Sequence, residues 1–184
     1  MDRIDSALKV KFSSAEKLFF DSKYHEAIIK YKEILIDYPK LTVAINNIGL
    51  AYEHLNNLEE AIKFYQKCSN MQPEELLFIN NLVNVLYKKN DYKNTIKEID
   101  KSLLINDSQV KMIEMKASCL ITLNLIKEAN LFFNQYIKKF PNNRFLNTLY
   151  GKNLINLNQH KLGLQFLKRG TGFIEFNNNI ITII

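Results

Sequence analysis

The sequence predicts an all-α fold, a right-handed α-solenoid of repeated helix-turn-helix units. Two residue types recur in multiples of 34 residues, and the residues between them follow the apolar spacing of an α-helix. The recurring residues are Ala27, Ala61 and Ala129, and then Pro39, Pro73 and Pro141. Because a repeat of this length is one pair of elements that buries its apolar face only against its neighbours, we expect an array of helix pairs.

The composition is that of an ordinary soluble globular protein. Of the 184 residues, 47% are hydrophobic and 24% are charged. The first residues, MDRIDSALKVKFSS, lack the uninterrupted apolar stretch of a secretory signal, and no run of residues reaches transmembrane length. We therefore expect a cytoplasmic protein without membrane contact. Cys68 and Cys119 show no CxxC spacing, so we expect both to be buried, reduced thiols.

The repeat frame divides residues 1–170 into an array and leaves residues 171–184 as an apolar C-terminal tail. The five units follow one another without insertion, at about 8–41, 42–75, 76–109, 110–143 and 144–177. In each unit a first segment carries apolar residues at helical spacing and then meets a polar turn.

The turn carries the same kind of residue in every unit. These residues are Ser22, Asn56, Asn90, Asn124 and Asn158. Asparagine is the best residue after glycine for the left-handed conformation that ends many helices, so this column predicts helix C-caps. A second helix follows, with an apolar stripe such as Tyr24, Ala27, Ile28, Tyr31 and Ile34, and the proline column ends it.

With these columns in place, the chain resembles the tetratricopeptide repeat family. The second unit matches best, because Gly49, Tyr52, Ala61, Tyr65 and Pro73 stand at the signature spacing. The resemblance implies small residues where paired helices approach closely. It also implies that the first helices line a concave groove that receives an extended peptide or a partner helix. The chain would then be a protein-interaction scaffold or adaptor.

Two units depart from the pattern. The third has Thr95 in the alanine column and Asp107 in the proline column, which the fold should tolerate. The fifth has Gly163 in the alanine column, and we expect Gly170 to end its second helix early. The tail that follows is rich in β-branched residues and predicts a short hairpin or strand. It would either cap the last helix or form a contact with a second copy or another subunit.

The sequence contains no pattern of a catalytic, metal or cofactor site. The histidines His25, His54 and His160 lie in different repeats, and no HExxH motif occurs. The five glycines offer no phosphate-binding loop. We therefore expect no enzyme activity, no metal and no cofactor.

The candidate binding residues lie off the apolar stripe of the first helices. Asn47 and Asn81 stand one repeat apart, and some members of the family carry an asparagine ladder in this column that binds a peptide backbone. The alternative is that both are polar groove residues without such a role. Asn46, Glu53 and His54 share this face. The predicted peptide-binding residues are Phe19, Asn47, Leu50, Asn81, Asn84, Tyr87, Lys88, Lys111 and Lys152.

Charge is distributed unevenly along the chain. Residues 1–85 carry 10 basic and 12 acidic side chains, whereas residues 86–184 carry 15 and 7. Lys88, Lys111 and Lys152 should lie on the groove side of the basic half and favour an acidic protein or peptide partner. RNA binding by this half is an alternative, but no pair of base-reading residues repeats from unit to unit. A third alternative is an assembly subunit that forms homo-oligomers through the tail.

Overall fold

The computed structural model describes residues 2–172, 174–177 and 180–183. These residues form ten helices and one two-stranded hairpin, so the predicted helical array with a non-helical tail is confirmed. The helices are α1 (Asp2–Phe20), α2 (Tyr24–Asp37), α3 (Thr42–His54), α4 (Leu58–Met71), α5 (Leu76–Lys88), α6 (Tyr92–Ile105), α7 (Val110–Thr122), α8 (Ile126–Lys139), α9 (Arg144–Asn156) and α10 (His160–Thr171). The strands are β1 (Ile174–Asn177) and β2 (Ile180–Ile183).

The helix boundaries follow the 34-residue frame. The second helices of the five units begin one repeat apart, at Tyr24, Leu58, Tyr92, Ile126 and His160. The first helices of the second to fifth units also begin one repeat apart, at Thr42, Leu76, Val110 and Arg144. The repeat in the sequence is therefore a repeat of helix pairs.

Each turn between paired helices is closed by the predicted C-cap column. All five residues of the column have positive φ angles, between 54° and 63°. In the second repeat the Asn56 N–H donates to the Glu53 carbonyl at 3.0 Å, and the Asn57 N–H donates to the Tyr52 carbonyl at 2.9 Å. This pair of bonds is a Schellman motif, which satisfies carbonyls that the helix end would leave without partners.

The chain forms two compact units. The first ends at Asn94 and the second begins at Thr95, so the boundary falls inside α6. In the first unit, α1 to α5 pack in succession, each against the next. In the second unit, α7 packs against α8 and α9, and α9 packs against α8 and α10. None of the described helices is both long enough and apolar enough to cross a membrane.

The alanine column is buried in every repeat. Its members are Ala27, Ala61, Thr95, Ala129 and Gly163. The Thr95 side chain has no exposed surface, so the fold accommodates this departure inside the helix pair. Large side chains fill the space beside the column, and Tyr31, Tyr65 and Phe133 are among the largest that are fully buried.

At the proline position of the third repeat, Asp107 forms an ion pair with Lys139. Its carboxylate Oδ1 lies 2.6 Å from the Lys139 ammonium, which also donates to the Asp107 carbonyl oxygen at 3.2 Å. The hydrogen bond from Lys139 lowers the pKa of Asp107. The loop after α6 is therefore attached to the end of α8 by charge, where other repeats restrict the chain with proline.

The expectation that Gly170 ends the last helix is wrong. Helix α10 continues to Thr171 and ends at Gly172, which has a φ of 94°. A Cβ at Gly170 would lie 2.8 Å from the Arg144 carbonyl oxygen, so glycine is required there by close packing against α9. The Arg144 side chain also donates to the Gly170 carbonyl at 3.0 Å, which holds this last turn in place.

The tail contains an antiparallel hairpin. Strand β1 pairs with β2 so that Ile174 stands opposite Ile183 and Asn177 stands opposite Ile180. Helix α10 contacts β1.

Both cysteines are buried, reduced thiols, as predicted. The Cys68 thiol donates to the Thr42 carbonyl oxygen at 3.4 Å. Burial raises the pKa of Cys68 from 9.0 to about 12 and the pKa of Cys119 from 9.0 to about 11. Neither thiol is therefore ionised in the folded protein near neutral pH.

Gly151→Ala is expected to destabilise the protein more than Gly49→Ala, although both glycines occupy the same repeat position. A Cβ at Gly151 would lie 2.7 Å from backbone atoms of Gly163 and Leu167, so helix α10 would have to move, at a cost of about 2 kcal/mol. The three atoms nearest to a Cβ at Gly49, at 2.8–3.3 Å, all belong to the Tyr65 ring, so a side chain would move before any backbone, and alanine adds about 1 kcal/mol of helix propensity. Urea denaturation followed by circular dichroism measures both changes, and equal losses would contradict this expectation.

Stability is expected to fall as the pH rises above 9.0, because unfolded thiols ionise there and the buried thiols do not. Each thiol contributes a loss of about 1.4 kcal/mol per pH unit until the pH reaches its folded-state pKa, about 12 for Cys68 and about 11 for Cys119, since the unfolded state binds fewer protons in that range. Denaturation in urea at several pH values above 9.0 measures the slope. Cys68→Ala should reduce the slope by about 1.4 kcal/mol per pH unit, and an unchanged slope would refute the assignment.

Candidate functional site

A cavity of about 260 Å³ lies between the last turns of α3 and α5 in the first unit. It is lined by Leu50, Glu53, His54 and Lys88. The three α3 residues are spaced so that they share one face of the helix, and Lys88 is the last residue of α5. The structure thus brings together two of the predicted binding residues, Leu50 and Lys88.

An aromatic cluster adjoins this cavity. The His54 ring stacks on Tyr24 with centroids 4.7 Å apart and planes within 10°. Phe19 meets both rings edge-on, at 5.4 Å from His54 and 5.3 Å from Tyr24. The left-handed turn at Ser22 reverses the chain between α1 and α2, which places Phe19 and Tyr24 side by side. A third predicted residue, Phe19, therefore lies next to the cavity.

The Glu53 carboxylate is held by two neighbours. The Tyr65 hydroxyl donates to Glu53 Oε2 at 3.0 Å, and the Lys88 ammonium lies 3.9 Å from Oε1. Burial raises the pKa of Tyr65, and the negative charge of Glu53 raises it further, so the phenol stays protonated as the donor. The Lys88 side chain is 48% exposed, and among the described residues this long contact is its one ion pair. Its ammonium can therefore approach a second anion.

The two predicted ladder asparagines are each bonded within the protein. Asn47 donates from Nδ2 to the Tyr31 hydroxyl at 3.1 Å, and Asn81 donates from Nδ2 to Asn46 Oδ1 at 2.8 Å. Asn46 is only 5% exposed, so its amide acts as a buried bridge from α3 to α5. These bonds orient both side chains and use one N–H of each amide.

The remaining predicted residues are distributed over both units. Asn84 and Tyr87 are half-buried on α5, and the Tyr87 ring meets Tyr92 edge-on at 5.8 Å. Lys111 on α7 and Lys152 on α9 are exposed and belong to the second unit.

Three residues of this site, Tyr24, Glu53 and His54, are not among the predicted binding residues. Helical spacing predicts that Glu53 and His54 share the groove face, but it does not show which side chains a neighbouring helix approaches. The apolar spacing predicts that Tyr24 belongs to the buried stripe of α2. It is half-buried, since it is the first residue of that helix and lies at the edge of the stripe.

The arrangement suits noncovalent binding. Apolar and aromatic surface lies beside one cation and one fixed carboxylate. Within the part of the chain that the structure describes, no group of three or more His, Cys, Asp or Glu side chains is placed to hold a metal ion.

Comparison with known proteins agrees with this architecture. The family model described as tetratricopeptide repeat matches residues 43–75. A comparison with curated protein sequences finds no match.

Several solved structures are similar to the chain. MamA 41-end from Desulfovibrio magneticus RS-1 is 12% identical, with a TM-score of 0.73 over 90% of this chain and 93% of that one. A crystal structure of MamA protein has a TM-score of 0.76 at 12% identity and covers 90% of each chain. YrrB, described as a TPR protein with an unusual peptide-binding site, is 17% identical, with a TM-score of 0.73 over 88% of this chain and 84% of its own.

At these identities the similarity to solved structures is one of fold. The sequence similarity to the family lies in the second repeat, at residues 43–75. The prediction of an all-α, tetratricopeptide-repeat-like solenoid is confirmed. Residues 43–75 match the tetratricopeptide repeat model, and the helices of the chain have the tetratricopeptide repeat fold.

Proposed function

We propose that the chain is a protein-interaction scaffold whose first unit captures a peptide segment of a partner protein. The observation that carries this proposal is the α3–α5 cavity, where apolar, aromatic and charged side chains meet on the predicted groove face. The peptide surface consists of Phe19, Asn47, Leu50, Asn81, Asn84, Tyr87 and Lys88, together with Glu53 and His54. Capture would be noncovalent.

Apolar and polar parts of this surface would have different roles. The cavity would receive a large apolar side chain against Leu50 and the aromatic cluster. Asn47 and Asn81 would bind the peptide backbone, because an amide that uses one N–H internally still has a second N–H and carbonyl lone pairs. Their internal bonds would reduce the entropy lost on binding.

Charge favours an acidic partner. Lys88 is held only loosely by Glu53, so a partner carboxylate could replace that contact with a shorter one. In the second unit the exposed Lys111 and Lys152 would add to the association rate through long-range attraction. The description of YrrB as a protein with a peptide-binding site supports the same class of function.

Lys88→Gln is expected to weaken capture of an acidic peptide about fivefold, since a partly exposed ion pair contributes about 1 kcal/mol. Lys89→Gln is the matched control, because Lys89 follows directly but pairs with Glu59 of α4 at 2.6 Å. The partner is captured from native lysate with the full-length chain. Fragments of that partner are then titrated against both variants by isothermal calorimetry.

Equal losses of peptide affinity for Lys88→Gln and Lys89→Gln would refute the proposal that this surface binds the peptide. Binding that disappears after nuclease treatment would instead favour RNA as the partner of the basic half, and its affinity would fall steeply with salt. Thermal denaturation of each variant shows whether the fold is retained.

The tail is the basis of a second proposal, homo-oligomer formation through residues 171–184. The register of the hairpin favours it, because two of the four cross-strand pairs join apolar residues, Ile174 with Ile183 and Phe176 with Ile181. A chain ending at Gly172 keeps the Arg144 bond to Gly170 and removes both strands. Light scattering should show a smaller particle for this chain, and an unchanged mass would remove the proposal.

A further inference from the structure

The compact unit that begins at Thr95 contains a furrow between α6 and α8, with α7 at its floor. Two adjoining cavities of about 310 and 330 Å³ form it. Both are lined by Asp100, Lys116, Phe132 and Gln135. The furrow extends along the chain from Ile96 to Asp107, about 16 Å or three helical turns. We name it the α6–α8 furrow.

The furrow has an apolar floor and apolar rims. Phe132 is 7% exposed at the floor, and the Lys116 ammonium lies 5.0 Å from its ring centroid. Leu104 and Leu131 stand at the two rims and are 87% and 72% exposed. Exposed apolar side chains grouped around a cavity are typical of protein-binding surfaces, whereas isolated ones need no explanation.

The charges of the furrow present carboxylates to solvent. Asp100 pairs with Lys116, but the aspartate is 50% exposed and the lysine only 16%. In the same way Asp107 is 62% exposed and its partner Lys139 only 35%. Glu128 adds an exposed carboxylate at the other end. The accessible charge along the furrow is therefore negative.

This negative stretch lies on a basic unit. Residues 95–184 carry twelve Lys and Arg side chains against six Asp and Glu, and three of those six acids line the furrow. Burial raises the pKa of Tyr136, and the charges of Asp107 and Asp100 raise it further, as expected beside accumulated negative charge. A partner selected by charge at this furrow would be basic.

The repeat pattern does not determine which side chains line the furrow. Positions 68 residues earlier are equivalent, because they lie two repeats before. At these positions Asp100, Leu131 and Gln135 are replaced by Lys32, Lys63 and Lys67. The helix pairs and some apolar positions repeat, since Ile36 corresponds to Leu104 and Phe64 to Phe132, but the furrow lacks the three lysines of the earlier positions.

We propose that the α6–α8 furrow is a second docking surface, and that its occupant is an amphipathic helix of a partner protein with Lys or Arg beside an apolar stripe. A groove between two helices is a shape into which a third helix packs. The apolar stripe would cover Phe132 between Leu104 and Leu131, and the cations would meet Asp100, Asp107 and Glu128. This site shares no residue with the peptide surface and does not depend on it.

The probe is a display library of 18-residue peptides, selected on the full chain and counter-selected on the Leu104→Lys/Leu131→Lys variant. We expect the selected peptides to carry net positive charge and apolar residues at i, i+3, i+4 and i+7. Their Kd, measured by fluorescence anisotropy, should rise at least tenfold for that variant.

The matched control is Ile29→Lys/Ile36→Lys on α2. Ile29 and Ile36 are 57% and 80% exposed and stand at repeat positions equivalent to those of Leu131 and Leu104, so the charge change is the same. The control should alter the Kd less than twofold.

Four outcomes would overturn the proposal. They are no enriched peptide, selected peptides without net positive charge, an equal loss of binding in the control, and concentration-dependent dimers that the furrow variant abolishes, which would identify a second copy as the occupant. Circular dichroism verifies that both variants are folded, and substitution at such exposed positions should leave their thermal unfolding unchanged.

Discussion

The close approach of the two helices in each repeat is the constraint on which the rest of the structure depends. It requires the smallest side chains at the crossing, which is why the alanine column is buried in all five units and why Gly151 faces Gly163 in the last one. The approach also brings the turn into a tight reversal that only a left-handed residue can close. Large residues such as Tyr65 then fill the space beside the crossing.

Because the interior is specified by a few columns, the surface can differ from unit to unit. The α3–α5 cavity combines a cation with aromatic rings, whereas the α6–α8 furrow combines exposed carboxylates with leucine. The two sites use different helices and opposite charge. A chain of this kind could therefore bind two chemically distinct partners on one repeated framework.

The structure brings together only part of the predicted binding residues, and the contacts that the prediction lacks have a common cause. Helical spacing predicts one face for these residues, and the structure places Leu50 and Lys88 at one cavity with Phe19 beside it. The spacing did not identify the stacking of His54 on Tyr24, which joins two repeats across 30 residues. Nor did it show that Asn81 bonds to Asn46, so a residue type suited to peptide binding is also part of an internal bridge.

The sequence by itself determined the class of fold, the repeat frame of the helix pairs and the positions of the turns. These features depend on interactions within about one repeat, namely apolar periodicity, small residues at the crossing and a left-handed cap. Only the tertiary structure decided which exposed side chains meet. It brought Phe19, His54 and Lys88 from three helices to one place, and it recessed Lys116 behind Asp100. Such contacts depend on how helices pack, which no local pattern encodes.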